Sequence, residues 1–122
     1  MVKEFHETFG LVVRERPGIP DSQTVQLRVR LIKEELEELQ EAFDNHDIVE
    51  VADALGDLMY VVLGTAVSCG LPTDQIFDEI HRSNMSKVGG HRDEGGKWIK
   101  PPTYSPPYLE PILENADAST TL

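Results

Sequence analysis

The sequence predicts an all-α fold: four helices followed by an irregular, Gly/Pro-rich segment. Three observations carry this. Val25, Val29, Ile32, Leu36, Leu39 and Phe43 recur at alternating intervals of four and three, which draws one apolar stripe along a helix. Residues suited to helix ends punctuate the chain, with Asp21 or Ser22 and Asp47 as N-caps and Gly70 as a left-handed stop. No segment alternates apolar and polar residues as a half-buried strand does.

Taken in order, the first helix is expected from Val2 to near Glu15, with Phe5, Phe9, Val12 and Val13 on one side, until RPGIPD breaks it. The second starts after Asp21 or Ser22 and carries the stripe through Phe43. The third runs from the Asp47 cap to about Ser68 and ends at Cys69-Gly70-Leu71-Pro72. The fourth begins near Thr73 and Asp74 and bears Ile76, Phe77 and Ile80. Beyond Lys87, VGGHRDEGGKWIKPPTYSPPYLEP holds too much Gly and Pro for a regular helix. Residues 1–110 read as one domain and 111–122 as a flexible tail.

A net charge of −11 argues against binding nucleic-acid polymers, which needs basic surface to displace phosphate counterions. A small anion can still be held through a metal or a local basic patch. Cys69, the single cysteine, lies in an apolar run, so no disulfide framework and no thiolate metal site is expected. The N-terminus MVKEFHETFG lacks an apolar signal core, and LMYVVLGTAV is about half the length of a membrane span. A soluble, cytoplasmic protein without membrane partners is the expectation.

The charge that matters is local. In KEELEELQE, Glu34, Glu35 and Glu38 fall within an arc of roughly 100°, continuing an arc begun by Leu27 and Leu31, while Glu37 and Glu41 point elsewhere as ordinary solvated charges. On the third helix Glu50, Asp53 and Asp57 share a sector of about 60°. Ala52, Leu55, Leu58, Met59 and Val62 surround Asp57, which predicts a buried carboxylate. Six clustered carboxylates repel one another unless a cation compensates them. Oxygen donors without cysteine favour Mg²⁺, with Mn²⁺ as the alternative, over zinc. No Glu-x-x-His pair is present to build a di-iron site. The alternative is a solvated acidic face on a non-enzymatic helical dimerisation or regulatory module.

Five of the eleven Lys and Arg residues fall between His81 and Lys100, in HRSNMSKVGGHRDEGGKWIK. In an acidic chain this suggests a local anion site, with Ser83 and Asn84 as neutral donors. No Walker-type loop or dinucleotide fingerprint supplies backbone phosphate binding, so a metal on one side and lysines on the other must do it.

Glu34-Glu35-Leu36-Glu37-Glu38, followed by a second acidic helix and by EIHRSNMSK and GKWIKPPTYSPP, resembles the all-α nucleoside triphosphate pyrophosphatases, the MazG-like and phosphoribosyl-ATP pyrophosphohydrolase-like superfamily. That superfamily carries E-E-x-x-E on one helix and E-x-x-D on the next. The closing segments are similar to the branch with dUTP-hydrolysing members. Two registers fit the second half: Asp57 as its aspartate, with Ala54 where the glutamate falls, or Glu50-Val51-Ala52-Asp53 as the literal pattern. The resemblance implies a four-helix MazG-like bundle completed by a homodimer or homotetramer. It implies Mg²⁺-dependent hydrolysis of a (d)NTP, dUTP or a non-standard nucleotide among them, to the monophosphate and pyrophosphate. Glu35, Glu38, Glu50, Asp53 and Asp57 are the metal candidates, with Glu34, Glu35 and Glu38 the catalytic ones and Glu34 set to orient or deprotonate the water. Lys87 and Lys100 are expected at the leaving pyrophosphate, and Asn84 and Tyr104 at the sugar or base. Trp98 either stacks on a base or anchors its loop, anchoring being favoured. Phosphoribosyl-ATP hydrolysis in histidine synthesis is the enzymatic rival.

Overall fold

The computed structural model describes residues 1–116, so the end of the expected tail, 117–122, lies outside the described residues. Within them the chain forms α1 (Val2–Phe9), α2 (Ser22–Asp44), α3 (Ile48–Cys69), α4 (Thr73–Met85), a hairpin of β1 (His91–Arg92) and β2 (Trp98–Ile99), and α5 (Glu110–Glu114). The fold is all-α, as expected. The paired strands escaped sequence reading because two residues are too few to show alternation. α5 straddles the boundary drawn at 110/111.

α1 stops earlier than its apolar spacing suggested. Gly10 adopts the left-handed conformation (φ 70°) and turns its N–H back to the His6 carbonyl, a stop that costs glycine little. The chain from Leu11 onward then lies along the end of α3, held by Arg14 N–H to the Val67 carbonyl (3.2 Å), Ser68 Oγ to the Val12 carbonyl (2.9 Å) and Gly18 N–H to the Cys69 carbonyl (3.0 Å).

Asp21 caps α2, accepting from the Thr24 N–H at 3.2 Å and from Thr24 Oγ1 at 2.6 Å. Asp47 caps α3, its Oδ1 accepting from the Val49 and Glu50 amides. With so short a link between them, α2 and α3 form a helical hairpin and pack along their length, and α1 lies on α3. The buried apolar residues of these helices are small: Ala42 on α2, Val51, Ala54, Ala66 and Val67 on α3, and Val2 on α1. Gly70 ends α3 at φ 67°, where a Cβ would stand 2.3 Å from the Arg16 carbonyl oxygen, so both conformation and space require glycine.

From there the chain swings through 113° into α4. The segment after α4 folds back on it. Arg82 donates two hydrogen bonds to the Glu79 carboxylate, Nε to Oε1 (2.7 Å) and Nη2 to Oε2 (2.8 Å), and donates to Ser105 Oγ and the Pro106 carbonyl. Ser83 Oγ donates to the Ser105 carbonyl (2.8 Å), the Ser105 N–H donates to Ser86 Oγ (2.8 Å), and the Tyr108 N–H donates to Glu79 (2.7 Å). HRSNMSK and YSPPY are thus two halves of one clasp.

Two apolar rows find no cover among the described residues. Val29, Leu36 and Phe43 are 46%, 54% and 54% exposed on α2, and Ile48, Leu55 and Val62 are exposed on α3; both rows repeat every seven residues. Among the described residues no single helix is long and apolar enough to cross a membrane.

Candidate functional site

Glu35 and Glu38 lie one turn apart on α2, and the antiparallel hairpin sets Asp57 of α3 opposite them. One oxygen from each of these three carboxylates falls within 4.8 Å of the others. Glu35 is half-buried; Glu38 and Asp57 are exposed. The expected burial of Asp57 is not found in the single chain, because Leu55, Met59 and Val62, which were to enclose it, are themselves uncovered. Burial falls on Glu35 instead. Its Oε2 is buried without a hydrogen-bond partner. Desolvation, followed by the adjacent Glu38 carboxyl and the charges of Asp57 and Glu34, pushes the Glu35 carboxyl up to about 7.

The other acids sort themselves around this trio. Glu50 and Asp53 line an adjoining cleft of about 310 Å³ together with Glu38 and Glu41. Glu41, read from its helical angle as an ordinary surface charge, therefore borders the acidic cleft. Glu34 is exposed and sits 3.8 Å from the Arg30 guanidinium, a loose surface pair. Of the two registers open in the sequence, the Asp57 register brings its aspartate to Glu35 and Glu38, while Glu50 and Asp53 stand beside it.

The basic segment is organised by Tyr104. Lys100 Nζ lies 4.6 Å from the centre of its ring and Lys87 Nζ 5.8 Å, a cation–π arrangement that holds two positive charges near one another. Trp98 donates its indole N–H to the Lys87 carbonyl at 2.8 Å, so it anchors the hairpin to the end of α4. Its exposed ring borders two surface depressions, one of about 280 Å³ with Asn84 and Lys87, the other of about 440 Å³ with Lys100 and Tyr104. Arg82 and Ser83, expected as anion donors, are instead committed to the clasp. Among the described residues no ion pair joins Lys87 or Lys100 to the acidic trio.

The residues present fit a hard divalent cation. The donors are all carboxylate oxygens, they converge, and one of the three residues, Glu35, carries a buried oxygen, Oε2, without a hydrogen-bond partner. A charge cluster of this kind costs free energy unless a cation neutralises it.

The fold and the site define an all-α protein whose paired helices carry an acidic cluster able to hold a metal ion. The model of the phosphoribosyl-ATP pyrophosphohydrolase family matches residues 2–84, and the chain belongs to that family, within the MazG-like all-α superfamily. The family is one of pyrophosphohydrolases, enzymes that act on nucleotides. Over 77 residues the chain is 40% identical to an uncharacterized protein of Acanthamoeba polyphaga mimivirus, a match that takes in 60% of this chain and 31% of the viral protein. The chain therefore spans less than a third of that relative's length.

Proposed function

We propose that this chain is a Mg²⁺-dependent nucleoside triphosphate pyrophosphohydrolase that cleaves a (d)NTP, with dUTP or a non-standard nucleotide as candidate substrates, to the monophosphate and pyrophosphate. The observation that carries this reading is the convergence of Glu35, Glu38 and Asp57 on one point, with a buried unpartnered Glu35 oxygen, in a member of a pyrophosphohydrolase family. Glu35, Glu38 and Asp57 hold the ion, and Glu50 and Asp53 border the adjoining cleft. The bound ion supplies polarisation of the phosphate oxygens and a lowered pKa for water. Glu34, exposed beside the trio, orients or deprotonates the water that attacks the α-phosphorus. The bond from that phosphorus to the bridging oxygen breaks, and pyrophosphate leaves with the electron pair. Lys87 and Lys100, held beside Tyr104, neutralise the charge that develops on it. Asn84 and Tyr104 contact the sugar or base.

This reading includes a second copy. The seven-residue apolar rows on α2 and α3 suit a helical bundle between protomers in a homodimer or homotetramer. In such an assembly the lysine segment of one protomer can reach the acidic helices of another. The domain is residues 1–110, the remainder a tail, and the site of action the cytoplasm. One rival has specific support: the matching family model is that of phosphoribosyl-ATP pyrophosphohydrolase.

A panel of standard and modified NTPs and dNTPs, together with phosphoribosyl-ATP, assayed with Mg²⁺ for pyrophosphate against orthophosphate, tests the proposal. Pyrophosphate from a triphosphate nucleotide supports it, and turnover of phosphoribosyl-ATP alone selects the rival. Orthophosphate as the first product, or no turnover at all, overturns it.

A further inference from the structure

Arg28 is 4% exposed, and among the described residues no carboxylate pairs with it. Its guanidinium reaches from α2 into α3, where Nη2 donates to the Val61 carbonyl at 2.9 Å and Nε to Thr65 Oγ1 at 3.2 Å. Thr65 Oγ1 donates in turn to the same carbonyl at 2.8 Å. α3 is opened to receive it at Gly64, where a Cβ would stand 2.4 Å from Arg28 Nη2 and 2.7 Å from His6 Nε2. A buried cation with neutral partners is a costly choice when an apolar residue can fill the same seam. What the fork supplies in exchange is geometry, because a planar guanidinium bonded to two fixed acceptors permits little axial sliding.

The position of this tie gives the geometry its use. Arg28 precedes Glu35 by seven residues, two turns on nearly the same face of α2, and Val61 follows Asp57 by four, one turn along α3. The guanidinium clamp and the carboxylate trio are thus successive cross-links on one antiparallel seam. Beyond the trio the seam is lined by small residues, Ala42 and Ala54 among the buried ones, which offer no deep interdigitation to fix register. We propose that Arg28 is a positioning residue for the cation site, its fork on Val61 and Thr65 setting the register of α2 against α3 and so the approach of Glu35 and Glu38 to Asp57.

The inference rests on the cation-site reading above, and Mn²⁺ alone, titrated into the full chain and followed by its paramagnetic resonance signal, separates the two. Arg28→Lys keeps the charge and loses the fork; Thr65→Val is a milder change that removes one acceptor. Ser68→Ala is the control for stability, since it breaks the bond to Val12 on the same helix without touching the α2–α3 seam. Both seam variants are expected to weaken Mn²⁺ binding at least fivefold at temperatures where circular dichroism shows full helix content. Ser68→Ala is expected to lower the melting temperature while leaving Mn²⁺ affinity within twofold of wild type. Wild-type affinity in Arg28→Lys and Thr65→Val, or an equal loss in Ser68→Ala, overturns the positioning role. Failure of the wild-type chain to bind Mn²⁺, or unchanged binding by Glu38→Gln, overturns the underlying site instead.

Discussion

Filling the cation site should expel a measurable proton, because Glu35 is held in its acid form by the same burial that prepares it as a ligand. With its carboxyl near 7, Glu35 is about half protonated at pH 7, about nine-tenths at pH 6 and about one-tenth at pH 8. A ligating carboxylate must be ionised, so each bound Mg²⁺ releases those same fractions of a proton. The apparent affinity should then fall about tenfold from pH 8 to pH 6, the ratio of the ionised fractions at the two pH values. Isothermal calorimetry in buffers of different ionisation enthalpy reads the proton count directly. A heat of binding that is independent of buffer at pH 7, with an affinity that does not change between pH 6 and 8, would refute the role of Glu35 as a desolvated ligand. Glu35→Gln should abolish the buffer dependence along with most of the affinity.

Three further outcomes follow from the surrounding structure. Gly64→Ala places a methyl against Arg28 and His6 and should cost about 1–3 kcal/mol of overpacking, read as a lower urea midpoint; an unchanged midpoint would mean that the seam is looser than described. His6 is 1% exposed, and burial, with a smaller push from Arg28 against the stabilising Val12 carbonyl, lowers its pKa below 6.5. The unfolded chain therefore binds the extra proton between the folded pKa and 6.5. Stability is complete above 6.5 and falls as pH drops through that window, so wild type should lose more stability than His6→Gln between pH 7.5 and 5.5, and parallel losses would contradict this. Arg82→Ala removes the clasp on Ser105 and Pro106 and the partner that, with the Tyr108 amide, holds Glu79 down to about 2. Limited proteolysis should then cut faster between residues 100 and 110 without lowering the stability of the α1–α3 unit; unchanged cleavage would show that the clasp does not hold the segment.

Much of the helical frame was legible because its signals are local. The Asp21 and Asp47 caps and the Gly70 stop act within one turn, and all three stand where the sequence placed them. The end of α1 was missed because Val12 and Val13 continue an apolar spacing that a single glycine overrides. At the site, helical angle alone put Glu35, Glu38 and Asp57 on usable faces. It could not say which would be desolvated, since that depends on whether Leu55, Met59 and Val62 are covered. The roles of Arg82 and Ser83 were misread for a different reason: a cation and a hydroxyl suit a phosphate and a backbone carbonyl equally well, and the partner, Ser105, lies more than twenty residues away. Arg28 carried one legible signal, a charge set among the apolar residues of VQLRVRLI two turns before Glu35, but its acceptors on α3 follow only from the packed hairpin.

Mn²⁺ binding by the wild-type chain, Glu38→Gln and Glu50→Gln, compared side by side by paramagnetic resonance, bears most directly on whether Glu35, Glu38 and Asp57 form the cation site. A site at that trio requires tight binding by wild type, loss in Glu38→Gln and retention in Glu50→Gln, whose carboxylate lies in the neighbouring cleft. Wild-type binding by Glu38→Gln would place the ion elsewhere and contradict the assignment.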